Sequence, residues 1–99
     1  MNTFKINLHK LSKDLKALDK NFSKTESLAE ISGVSRSTVM SWENCAPNEV
    51  ELIYWNAKAF NHSFFEMIDK KDDSFPAFKL LKYYQEKTGN PIENIIIKE

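Results

Sequence analysis

Between Thr25 and Asn44 the chain reads TESLAEISGVSRSTVMSWEN, and the order of residue types there leaves few folds open. Two short helices are predicted, over about Thr25 to Ser32 and Arg36 to Asn44, joined by Gly33-Val34-Ser35. Leu28, Ala29, Val34, Val39 and Trp42 would form a small apolar inner face. Helices that cross steeply must approach closely, which suits a residue as small as Ala29. The bend needs a residue that tolerates a left-handed backbone, and Gly33 supplies it. Ser35 is placed to cap the second helix with its hydroxyl. The outer face of that helix carries Arg36, Ser37, Thr38 and Ser41, with Met40 as the apolar exception.

This order is the signature of a helix-turn-helix, in which the second helix is offered to a groove. The remaining composition agrees with a helical fold. Ninety-nine residues make one compact domain, and two Gly and three Pro leave room only for short connections. The single cysteine, Cys45, excludes an internal disulfide and makes no zinc site alone. Neither a signal peptide nor an apolar run of membrane-spanning length is present, so a cytoplasmic protein with no membrane partner is expected.

The formal net charge is zero, which argues against a strong sequence-independent hold on nucleic acid. Its distribution is uneven. Residues 1–24 hold six lysines against Asp14 and Asp19, whereas residues 46–68 hold Lys58 against Glu49, Glu51 and Glu66. The one arginine, Arg36, opens the groove-facing helix. Arginine makes bidentate bonds to a guanine edge or a phosphate that lysine does not match.

Residues 1–6 are expected to be loosely ordered, with Phe4 or Ile6 tucked against the core. From Asn7 to Asp19, Leu8, Leu11, Leu15 and Leu18 fall on one helical stripe. Ser23-Lys24-Thr25-Glu26 reads as a capping box for the next helix. Asn48, with Glu51 as its box partner, is expected to cap a fourth helix running to about Phe60, with Val50, Ile53, Tyr54, Ala57 and Phe60 on its apolar face. Ser63 to Glu66 repeats the box and opens a short fifth helix through Ile68. Residues 69–74 form a charged linker. A sixth helix follows, with Pro76 in its first turn and Gly89 as its C-cap. Its apolar residues cover more than one face, which suggests contact both with its own core and with a second subunit. Asn90-Pro91-Ile92-Glu93 could cap another helical turn, while Ile95-Ile96-Ile97, short and β-branched, could instead form a terminal strand. A lone strand leaves its backbone unpaired, so its own copy in a dimer is the expected partner. Phe75, Phe78, Tyr83, Tyr84, Ile95 and Ile97 are the candidate dimer or partner residues.

The motif LAEISGVSRSTVMSWEN, followed by LIYWNAKAFNHSFFEMI, resembles the lambda-repressor-like (Cro/Xre-type) helix-turn-helix family over about residues 7–68. The resemblance implies an all-α fold with a five-helix DNA-binding domain over 1–68; residues 69–99 fall outside it and read as a C-terminal extension with an additional helix and a possible short terminal strand. It implies a sequence-specific double-stranded DNA-binding regulator of transcription, bacterial or phage, expected to be a repressor and a homodimer, with no cofactor. Carried over by position, Arg36, Ser37 and Ser41 match base-reading residues, and Thr38 lies beside them. Thr25 and Asn44 match phosphate contacts, and Lys24 is grouped with them. Thr25 stands where the family has Gln, and Cys45 where Gly is common.

The rival reading is a protein-interaction module on the same scaffold, such as an antitoxin, anti-repressor or adaptor that binds a regulatory protein. Zero net charge and the aromatic residues near the C-terminus favour it. Catalysis has little support. His9 and His62 stand alone, Cys45 has no His or Asp beside it, and Asp72-Asp73 and Glu49/Glu51 read as solvated charges. No metal site is expected.

Overall fold

The computed structural model describes residues 4–69 and 75–98. The order is β1 (Phe4–Ile6), α1 (Leu8–Leu18), α2 (Lys24–Ser32), α3 (Arg36–Ser41), α4 (Asn48–Ala59), α5 (Phe64–Asp69), α6 (Pro76–Thr88), a 3-10 turn (Ile92–Ile95) and β2 (Ile96–Lys98). The fold is mostly helical, as the periodicities predict, and adds one small two-stranded sheet. Residues 1–3 and most of the expected charged linker lie outside the described residues. No described helix is long and apolar enough to cross a membrane.

Asn7 opens α1, its side chain accepting a bond from the Lys10 amide at 3.1 Å. Leu8, Leu11 and Leu15 are buried as their spacing requires. Leu18 is exposed instead, because it is the last helical residue and projects past the core. Phe60 departs in the same way. It is the C-cap of α4 and exposed, while Val50, Ile53, Tyr54 and Ala57 are buried.

Two of the three expected capping boxes form differently. Ser23 makes no side-chain cap; its amide donates to the Ser27 hydroxyl at 2.9 Å, and Glu26 stays exposed. The cap position of α4 is Pro47, with Asn48 already the first helical residue. Pro47 pre-sets its own φ near the value the entry needs, so the helix begins without a side-chain cap. At α5 the Ser63 hydroxyl accepts from the Glu66 amide at 3.4 Å, which is half of the expected box.

The two ends of the chain pair with each other. β1 and β2 are antiparallel, with Phe4 opposite Lys98, Lys5 opposite Ile97 and Ile6 opposite Ile96. Residues 4–6 are therefore not loose, and β2 takes its partner from its own chain rather than from a second copy. Alternation explains the choice: Phe4, Ile6 and Ile96 turn into the core, while Lys5 and Ile97 face outward. The opposite edge of β1 is also used. The Ile6 amide donates to the Trp42 carbonyl at 3.0 Å, and the Ala46 amide donates to the Phe4 carbonyl at 2.8 Å.

Helix α6 packs against α1, α2 and α5. Pro76 sits in its first turn and Gly89, at φ 75°, ends it. The broad apolar surface read from the sequence is real, but the elements it contacts belong to the same chain. Phe78, Tyr84 and Ile95, expected to face a partner, are buried in the single core that unites residues 4–69 with 75–98. Tyr83 is partly buried against that core, and only Phe75 and Ile97 keep substantial exposure.

A polar contact locks α6 to α1. The Tyr84 hydroxyl donates to Asp14 Oδ2 at 2.6 Å, and Lys10 Nζ reaches the same oxygen at 3.1 Å. The Tyr84 bond, seconded by Lys10, holds the Asp14 carboxyl below its ordinary pKa. Burial, and then Asp14, push the Tyr84 hydroxyl up.

Ile95→Ala is expected to destabilise the fold by about 2–4 kcal/mol. Ile97→Ala, on the outer face of β2, should cost less than about 1 kcal/mol. Urea unfolding followed by far-UV circular dichroism separates the two. Because the Asp14 pKa is lowered on folding, its contribution is complete above the ordinary carboxylate pKa and disappears as pH falls through the lowered value. Tyr84→Phe should therefore cost about 1–2 kcal/mol at neutral pH, and its deficit relative to the parent should shrink through that acid window.

Candidate nucleic-acid interface

Helices α2 and α3 form the predicted helix-turn-helix. Gly33 is at φ 74°, and the amides of Gly33 and Val34 both donate to the Ala29 carbonyl, at 2.8 and 3.3 Å. Ser35 caps α3, its hydroxyl accepting from the Thr38 amide at 3.3 Å. Leu28, Val39 and Trp42 are buried, and Ala29 and Val34 are packed partly buried against them. The unit thus owes its shape to one left-handed residue, one cap and a five-residue inner face.

The second helix is shorter than expected. It ends at Ser41, and the chain continues to Asn44 through bonds that reach back three residues: Trp42 to Val39, Glu43 to Met40 and Asn44 to Ser41. The Trp42 carbonyl is drawn to the Ile6 amide. That bond takes an acceptor that a longer helix would have used within its own ladder.

Arg36, Ser37, Thr38 and Ser41 are all exposed. Among the described residues no carboxylate pairs with Arg36. The hydroxyls are organised locally. Ser35 Oγ lies 2.9 Å from Thr38 Oγ1 and 3.2 Å from Ser37 Oγ, and Ser41 Oγ donates to the Thr38 carbonyl at 2.6 Å. Each hydroxyl oxygen has two lone pairs, so a local bond does not exhaust its capacity.

One of the expected phosphate contacts, Lys24, reaches the residue next to another, Asn44. Lys24 and Thr25 open α2, and Lys24 Nζ lies 3.0 Å from Glu43 Oε1, which brings the start of α2 beside Asn44. Asn44 is exposed, while Lys24 and Thr25 are partly buried. The lysine is thus paired with a neighbouring carboxylate. An exposed pair of this kind contributes about 0–1 kcal/mol, so it exchanges easily.

Lys79 was not legible as part of this surface. It lies on α6, and its ammonium is 3.9 Å from where a Cβ on Gly33 would stand. Only the packing of α6 on α2 brings it to the turn. Of the first-helix lysines, Lys10 is held by Asp14, while Lys13 and Lys16 are exposed.

Among the described residues no group of three or more His, Cys, Asp or Glu is arranged for a metal. A cleft of about 250 Å³ between α4 and the 3-10 turn includes His62, Ser63 and Glu93. Another, of about 410 Å³, runs beside Phe22, Ile31 and Tyr83. Comparison with protein-family models, with curated proteins and with solved structures finds no match.

A Cβ at residue 33 would meet only the tip of Lys79, at an ordinary contact distance, so the barrier to substitution there is the backbone. Gly33→Ala is expected to cost about 1–2 kcal/mol through its left-handed φ. Gly33→Asn should cost less, since Asn tolerates that region. Thermal denaturation of the two variants checks the order.

Proposed function

We propose that this protein is a sequence-specific double-stranded DNA-binding regulator of transcription, of the bacterial or phage repressor type, that reads the major groove with α3. The observation that carries this reading is the division of α3 into two faces. Val39 is buried, while Arg36, Ser37, Thr38 and Ser41 all stand in solvent on a helix held at its start by a cap and a glycine turn. An α-helix with its side chains is about 10–12 Å across, which suits a groove about 12 Å wide. The resemblance of LAEISGVSRSTVMSWEN to Cro/Xre-type sequences supports the same assignment. Lys24, Thr25 and Asn44 are the phosphate contacts, gathered beside one end of α3. A homodimer places two copies of Arg36 one helical turn apart on a near-palindromic site. Such a regulator works in the cytoplasm, on the nucleoid, and needs no cofactor.

A second reading, a protein-interaction module, is favoured by one observation. Lys24 is engaged with Glu43, so the candidate phosphate side carries less free positive charge than the sequence implied.

Selection from a random duplex pool by the full chain tests both. We expect a defined motif to be enriched. Arg36→Ala should weaken binding to the enriched duplex by about 1–3 kcal/mol, with a smaller change on random DNA. Equal affinity of parent and variant for both duplexes would remove the role given to Arg36. Failure to enrich any motif would favour the interaction module.

A further inference from the structure

Helix α6 sets a cation at the turn of the helix-turn-helix. Phe78 and Leu80 are buried in the core, which fixes the rotation of α6 and leaves Lys79, between them, exposed. Lys79 shares the cleft between α2 and α6 with Ile31, Lys82, Tyr83 and Glu86, and its ammonium ends 3.9 Å from where a Cβ on Gly33 would stand. Among the described residues no carboxylate or other acceptor holds that ammonium. Lys10, Lys24, Lys82 and Lys98, by contrast, are each engaged within the chain.

We infer that Lys79 is a phosphate contact, supplied by the C-terminal segment to the strand of the duplex that passes the start of α3. The inference rests on the reading of α3 as the groove-facing helix. Gly33 precedes Arg36 by three residues, at most about 10 Å of chain, so the ammonium stands near the entry to that helix. The phosphate contacts named so far lie elsewhere. Asn44 follows the end of α3, and Lys24 is paired with Glu43 beside it. A major groove has a phosphate strand along each edge, and contacts to phosphate fix a protein's position on the duplex. Lys79 gives the start of α3 such a contact and leaves Arg36 free for a base edge.

Lysine suits this task, because it meets phosphate as a point charge on a flexible stem and needs no fixed fork geometry. The chain is neutral overall, so each open cation is a large share of its attraction to a polyanion. Residues 75–98 thereby join the DNA-binding unit instead of forming a separate extension.

Fluorescence anisotropy of the full chain on the enriched duplex and on random duplex, over a series of salt concentrations, tests this. Lys79→Gln should weaken binding to both duplexes by a similar factor, and the slope of log K against log salt should flatten by about 0.9. Lys79→Arg should keep the parent slope. Lys87→Gln removes the same charge about 12 Å further along α6 and should leave the slope unchanged. A Lys79→Gln variant with the parent's slope overturns the contact and leaves the regulator reading intact. Equal flattening in Lys87→Gln would reduce the effect to net charge and overturn the contact as well. Helix α2 has no basic residue in its last turn, so a lower melting temperature of Lys79→Gln with an unchanged slope would assign Lys79 to that helix's dipole instead. A parent that binds neither duplex removes the regulator reading and this contact together.

Discussion

Three residues at the start of the chain are bonded on both edges. Phe4 and Ile6 serve the segment that follows α3, through Ala46 and Trp42, while the next amide along, Asn7, donates to Ile95 at 2.8 Å beside the β2 pairing. An isolated two-stranded ribbon is marginal in water, and an open strand edge invites pairing with other chains. Here the strand is closed by two parts of the same molecule. Each backbone bond contributes about 0.5–1.5 kcal/mol net. The burial of Phe4, Ile6 and Ile96 adds to these bonds. The end of α3 therefore depends on both termini.

This connection changes how the C-terminal residues are understood. Their apolar surplus was visible in the sequence, and it did signal that α6 touches more than one neighbour. Sequence alone does not distinguish a neighbour in the same chain from one in another. Helix α6 turned out to close the core behind α2, with Tyr84 bonded to Asp14 and Lys98 Nζ reaching the Tyr54 hydroxyl at 2.8 Å. The second contact ties β2 to α4 and lowers the Tyr54 pKa, chiefly through that bond. The helix-turn-helix is thus supported from behind by residues far from its motif.

What was legible had local causes. Gly33 and Gly89 were identifiable because both positions need positive φ, and Pro76 because a first helical turn tolerates a missing amide. The stripes of α1 and α4 followed from 3.6-residue spacing, and failed only at Leu18 and Phe60, where the helices run out beyond the core. What was illegible was non-local. A strand as short as Phe-Lys-Ile has no signature until its partner is known. The Ser23 box failed because Ser27, one residue beyond Glu26, offers the backbone an equivalent acceptor. The candidate surface divides in the same way: Arg36, Ser37, Thr38 and Ser41 are exposed on α3 as the pattern predicts, but Lys79 arrives through tertiary packing and Lys24 arrives already paired.

That pairing bears on what the proposed reader would do. If Lys24 turns to a phosphate, it gives up a bond to Glu43 worth little in water. Glu43 is then left near a polyanion, which is unfavourable wherever the duplex approaches, whatever its sequence. With a net charge of zero behind it, such a surface gains little from non-specific contact. The compensating gain must come from base edges, and Arg36 is the one side chain on α3 able to make a bidentate contact there. The hydroxyls of Ser37, Thr38 and Ser41 are already ordered by one another and by Ser35, so little freedom remains to be lost when they meet a groove. A surface of this kind exchanges overall affinity for discrimination.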